Sequence, residues 1–142
     1  MKIPTASFVL DNSVAMSWCF KDETNPYADA ILQRLVNERA IVPPIWPLEV
    51  ANVLLVAERR RRIRRSDGVR FLSLLAQLPI SVDDMSTANA MTSLLTLGRE
   101  TDLSSYDASY LDLAMRQGCP MATLDANLRE AARDLGVPIL EG

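Results

Sequence analysis

Short apolar runs recur along the chain: "SFVLD" from Ser7, "AIV" from Ala40, "PISV" from Pro79, "CPMATLD" from Cys119 and "VPIL" from Val137. Each is separated from the next by helix-like patterns. Strands alternating with helices demand right-handed crossovers and a parallel sheet covered on both faces, so the expected fold class is α/β with three layers, α/β/α. Helix signals fill the gaps. An apolar run spans Val14 to Phe20, and Asn25-Pro26 opens a helix to about Asn37. Helices are expected from Trp46 to about Arg60, from a Ser66 cap to about Leu78, and somewhere between Thr87 and Leu97. Ser104 caps a helix ending near Gln117 at Gly118, and "ANLREAARDLG" forms one stopped by Gly136. At 142 residues, 49% of them hydrophobic, the chain fits a single domain over residues 1–142 with one sizeable core.

Composition removes much of the usual chemistry. The chain has no histidine, which excludes imidazole catalysis and Ser-His or Cys-His pairs. Cys19 and Cys119 show no metal-ligand spacing, so a Cys/His zinc site is excluded as well. The apolar stretches are too short and interrupted for a membrane span. Pro4 and Asp11 break what might have been a signal-peptide core, and the expected location is cytoplasmic, with no membrane association. Carboxylates, hydroxyls, Lys/Arg or a cofactor must carry any catalysis.

Four carboxylates stand out. Asp11 and Asp125 each end a strand immediately before a helix, which places them at the sheet edge where parallel α/β proteins bind ligands. Glu49 sits one turn into a helix that is apolar almost all round; Asn52, three residues on, shares its face. Asp107 follows Ser104 in a capping-box pattern, whereas Asp112 falls on a different part of that helix and reads as surface or secondary. Taken singly, each acid has a structural alternative: helix capping for Asp11, Asp125 and Asp107, and dipole complementation for Glu49. Taken together, clustered acids repel and raise one another's pKa unless a cation intervenes. An oxygen-only set suits Mg²⁺ or Mn²⁺, and such a site supports metal-assisted phosphodiester hydrolysis.

The ordered segments "VLDNSVAMSW", "PPIWPLEVANVL", "LSSYDASYLDLA" and "MATLDANLREAARDLGVPIL" resemble the acidic motifs of the PIN-domain family, and specifically its VapC-type toxins. The resemblance runs nearly the length of the chain and is weakest between about Asp67 and Arg99. It implies a Mg²⁺- or Mn²⁺-dependent endoribonuclease of a toxin-antitoxin pair, with Asp11, Glu49, Asp107 and Asp125 as the metal-binding acids and Ser13 and Thr123 as supporting hydroxyls. It also implies an RNA substrate, a homodimer and a cognate VapB-type antitoxin. Water attack in line would leave a 5′-phosphate.

"ERRRRIRR" from Glu58 is a dense cationic run in a chain of formal net charge -3. Arg61, Arg62 and Arg64 are candidates for RNA or antitoxin contact; a solvated helix end complementing the dipole is the alternative. The stripes at Ile31 and Leu35, and at Val53, Leu54 and Ala57, read as core, with part of a dimer or antitoxin groove as the alternative. A phosphoaspartate receiver or a haloacid-dehalogenase-type phosphatase also places Asp at a strand end, but both need a distal lysine, and the only lysines are Lys2 and Lys21. The first strand lacks the glycine-rich loop of a nucleotide-binding domain. A catalytically silent PIN-like module acting through a protein partner is the rival reading.

Overall fold

The computed structural model describes residues 6–142; Lys2 and Pro4 lie outside them. The strands are β1 (Ser7–Leu10), β2 (Arg39–Val42), β3 (Ile80–Val82) and β4 (Met121–Ala122). The helices are α1 (Asn12–Cys19), α2 (Pro26–Arg34), α3 (Trp46–Arg59), α4 (Arg65–Gln77), α5 (Thr87–Thr101), α6 (Ser105–Gln117) and α7 (Ala126–Asp134). All pairings are parallel and the strand order is β3-β2-β1-β4. The chain therefore steps outward from β1 to β3, then crosses back to place β4 on the other side of β1. That reversal sends the β3–β4 crossover to the face opposite the first two, giving the expected three-layer α/β/α fold. It also opens a crevice at the carboxyl ends of β1 and β4.

Phe8, Val9 and Leu10 are completely buried, as an unbroken apolar strand covered on both faces requires. On one side α1 packs against α2 and α3, while α6 lies against β1 with α5 and α7 beside it. Ala108 to Ala114 of α6 are all buried, so the middle of this helix is enclosed on every side. Ile31, Leu35, Leu54 and Ala57 are core; Val53 packs at its margin.

Several boundaries differ from the sequence reading. Helix α2 ends at Arg34, short of Asn37, in a run of turns. Helix α4 begins before Ser66, because the Asp67 carboxylate accepts from the Arg64 backbone N–H and moves the cap to Arg64. "CPMATLD" is strand only at Met121–Ala122: beyond it the N–H groups of Leu124 and Asp125 donate to the Ser13 and Thr123 hydroxyls instead of to a neighbouring strand. "VPIL" shrinks to one bridge between Met121 and Ile139, since Pro138 has no N–H to extend a ladder. Asp112 is buried rather than superficial; Arg116 donates to it at 2.8 Å and links it to Asp83 at 2.9 Å.

Candidate active site

The crevice gathers the predicted acids from separate elements. Asp11 follows β1 and occupies the N-cap position of α1, but its side chain makes no capping bond. Its Oδ2 accepts from Ser13 Oγ at 2.6 Å and from Thr123 Oγ1 at 2.8 Å. Thr123, fully buried after β4, also accepts from the Asp125 backbone N–H, and Ser13 accepts from that of Leu124. The two hydroxyls thus stitch the ends of β1 and β4 together and present Asp11 to the crevice, so capping does not account for Asp11.

Asp125 does cap its helix: Oδ1 accepts from the Leu128 N–H at 3.0 Å, leaving Oδ2 for other work. Asp107 is intermediate. Its backbone N–H donates to Ser104 Oγ, but the reciprocal bond of a capping box, which would occupy its carboxylate, is not formed. Glu49 lies in the first turn of α3, half-buried, and accepts from the hydroxyl of Tyr110. Asn52 is exposed and joins none of these contacts.

The electrostatics tie the acids together. Burial pushes the Asp11 carboxyl above its usual range; the Ser13 and Thr123 hydroxyls oppose the shift and Asp107 adds to it. Burial also raises Glu49, with Tyr110 opposing and Asp11 and Asp107 reinforcing. Asp107 is raised by burial and then by Asp125, against a lowering by Ser104. Among the described residues none of the four forms an ion pair with Arg or Lys. Repelling carboxylates without a protein counter-charge suit a hard divalent cation. Asn12 Oδ1, next in sequence to Asp11, is buried and accepts no hydrogen bond, a further uncompensated oxygen. Even so, among the described residues no three acidic or sulfur or imidazole side chains stand close enough to hold an ion together. The donor chemistry fits a divalent ion; the fully assembled coordination shell is not preformed.

A cleft of about 570 Å³ opens beside Asp107, walled by Glu100, Asp102, Glu130 and Asp134; Asp11, Glu49 and Asp125 do not line it.

The chain matches the PIN domain over residues 8–134. It belongs to the PIN-domain family. Members of that family are generally nucleases and typically use divalent metal ions. No curated protein sequence matches the chain. Among solved structures, PAE2754 from Pyrobaculum aerophilum is similar with a TM-score of 0.68 at 19% identity, covering 89% of this chain and 86% of that one. VapBC2 from Rickettsia felis, bound to a DNA fragment from its promoter, is similar with a TM-score of 0.69 at 10% identity, covering 94% and 97%. FitAcB from Neisseria gonorrhoeae has a TM-score of 0.64 at 18% identity, covering 94% and 96%. At these identities the likeness speaks for the PIN fold.

The arginine run divides. Arg62 is committed within the chain: it pairs with Asp22 at 2.8 Å and Glu23 at 3.4 Å, and its guanidinium lies 3.8 Å from the centre of the Phe20 ring. Arg61 and Arg64 are exposed, and neither forms an ion pair with a described residue. Two residues near the site escaped the sequence reading. Tyr110 stands three residues after Asp107, a helical spacing that places both on one face of α6. Arg129 donates to the Thr123 carbonyl at 2.8 Å and stacks on Tyr27, bracing the loop that carries Thr123; Arg129 has the same i,i+4 relation to Asp125 that many helical surface pairs have, so its sequence position alone is not distinctive.

Proposed function

We propose that this chain is a metal-dependent endoribonuclease acting as a single domain, the toxin of a toxin-antitoxin pair. The observation that carries this reading is the set of Asp11, Glu49, Asp107 and Asp125 at the β1–β4 crevice: burial and neighbouring acids raise the first three, and among the described residues none of the four pairs with Arg or Lys. Mg²⁺ or Mn²⁺ bound there would supply Lewis-acid stabilisation of phosphate charge and lower the pKa of water. Asp11, fixed by two hydroxyls, and Asp107, with its carboxylate uncommitted, are the principal ligands in this reading; Asp125 and Glu49 complete the shell. One of these acids orients the attacking water.

The partners follow from the same reading. Similar folds occur in a toxin-antitoxin complex from Klebsiella pneumoniae and in VapBC2, which supports a VapB-type antitoxin as partner. Leu48, Leu55 and Val56 of α3 are exposed apolar residues, suited to an antitoxin or to the second copy of a homodimer. Among the described residues no helix is long and apolar enough to cross a membrane.

The test is cleavage of total RNA by the purified, antitoxin-free protein with Mn²⁺, beside Asp11→Asn and an EDTA control. Discrete fragments bearing 5′-phosphates, from wild type alone and abolished by EDTA, are expected. The rival, a silent PIN-like binding module, draws on the absence of a preassembled three-ligand group among the described residues; a wild type that binds no Mn²⁺ and cuts no RNA would favour it.

A further inference from the structure

Tyr110 is the largest of the fully buried side chains. A phenol sealed in a core needs a partner for its hydroxyl, and here that partner is Glu49, 61 residues away on α3. The Asn12 backbone, immediately after Asp11, is near enough to act on the same hydroxyl. Tyr110 and Asp107 share a face of α6. One buried ring therefore touches or adjoins the three elements that carry Asp11, Glu49 and Asp107.

The acids differ in what holds them. Asp11 has Ser13 and Thr123, and Asp125 has the Leu128 N–H. Among the described residues the only hydrogen-bond donor to the Glu49 carboxylate is Tyr110, which occupies Oε1 and leaves Oε2 open. Glu49 also has the longest side chain of the set and is only half-buried, so without that bond its rotamers are free to turn toward solvent. We infer that Tyr110 is a positioning residue: its hydroxyl holds Glu49 with one oxygen aimed into the crevice, so that a divalent cation meets an acid already in place. This rests on the metal-nuclease reading above and adds to it the residue that orders Glu49.

The test measures Mn²⁺ affinity by electron paramagnetic resonance on wild type, Tyr110→Phe, Glu49→Gln and the double variant, each checked for native circular dichroism. Phe preserves the ring and removes only the hydroxyl. Tyr110→Phe should weaken Mn²⁺ binding by roughly 10-fold, the scale of removing an outer-shell partner of a metal ligand. In the Glu49→Gln background the same change should do nothing further. Unchanged affinity in Tyr110→Phe overturns the inference, and so does a weakening that adds in full to that of Glu49→Gln. A wild type that binds no Mn²⁺ at all overturns the metal site itself, a distinct result. Should Tyr110→Phe not fold, wild type labelled at tyrosine Cζ serves instead: the Tyr110 resonance should shift on Mg²⁺ addition and stay still in Glu49→Gln. No shift in a protein that does bind Mn²⁺ refutes the positioning role.

Discussion

The Thr123 hydroxyl donates to Asp11 Oδ2 at 2.8 Å, joining residues 112 apart in sequence across the paired ends of β1 and β4. Thr123 is fully buried and at the same time accepts from the Asp125 backbone N–H. Its single oxygen thus orders two of the acids. Thr123→Val, which keeps the shape, leaves the Asp125 N–H and one bond to Asp11 unmet. The expected cost is about 1–3 kcal/mol in urea unfolding, the penalty for stranding buried polar groups, together with weaker Mn²⁺ binding. Wild-type stability would mean that these bonds contribute nothing net to folding.

Asp125 has two separable duties. Asn is as good an N-cap as Asp, so Asp125→Asn should keep the bond to the Leu128 N–H and the wild-type melting temperature while losing RNA cleavage. Asp125→Ala should lose cleavage and about 1 kcal/mol of stability as well. Equal activity in wild type and Asp125→Asn would reduce this acid to a cap.

Without metal the crevice should make stability depend on pH in an unusual direction. Asp11, Glu49 and Asp107 all have raised pKa values, with burial as the leading cause. The folded state then holds protons that the unfolded chain, with carboxyls at roughly 4, has released. Stability is fully present below the unfolded values and is lost as pH rises through the folded ones. In EDTA the melting temperature should fall as pH rises above the unfolded carboxyl range of roughly 4. Asp11→Asn should flatten that slope and melt higher than wild type at pH 7. Mg²⁺ should offset that loss where the acids have released their protons and do little where they still hold them. A melting temperature that rises steadily to pH 7 in EDTA would contradict the burial of these charges.

The arginine run should act through its exposed members. Replacing Arg61 and Arg64 with Ala should flatten the dependence of RNA binding on salt, by about 0.7 in the log–log slope for each phosphate of a single strand that is no longer neutralised. Arg62→Ala should leave that slope alone and instead loosen the packing with Phe20, Asp22 and Glu23. The reverse pattern, read from filter binding across a salt series, would mean that Arg62 exchanges its internal partners for RNA.

Periodicity and punctuation made most of the fold legible. Alternating strands and helices, the Asn25-Pro26 start, the Ser104 cap and the left-handed Gly118 are local events, decided within a few residues by hydrogen bonds and allowed dihedrals. The candidate acids Asp11, Glu49 and Asp125 stand out for a similar reason, since an acid at a strand end or in an apolar helix is costly enough to be conspicuous in one dimension, whereas Asp107 stands out only through its capping-box spacing from Ser104.

Only the tertiary structure decided what each acid is attached to. Asp11, Asp107 and Asp125 all stand at or just inside a helix start, yet Asp125 caps, Asp107 leaves its carboxylate free of the capping box, and Asp11 is taken by Ser13 and Thr123. Arg61 and Arg62 are adjacent in one basic run, but a salt bridge and an aromatic ring 40 residues or so upstream claim Arg62 alone. Tyr110 reads as one more core aromatic until α3 brings Glu49 against it. Secondary structure and patterning depend on near neighbours and so survive in the sequence. The partners of a buried polar group depend on which distant elements pack together, and that is settled only when the sheet order β3-β2-β1-β4 brings β1 and β4 side by side.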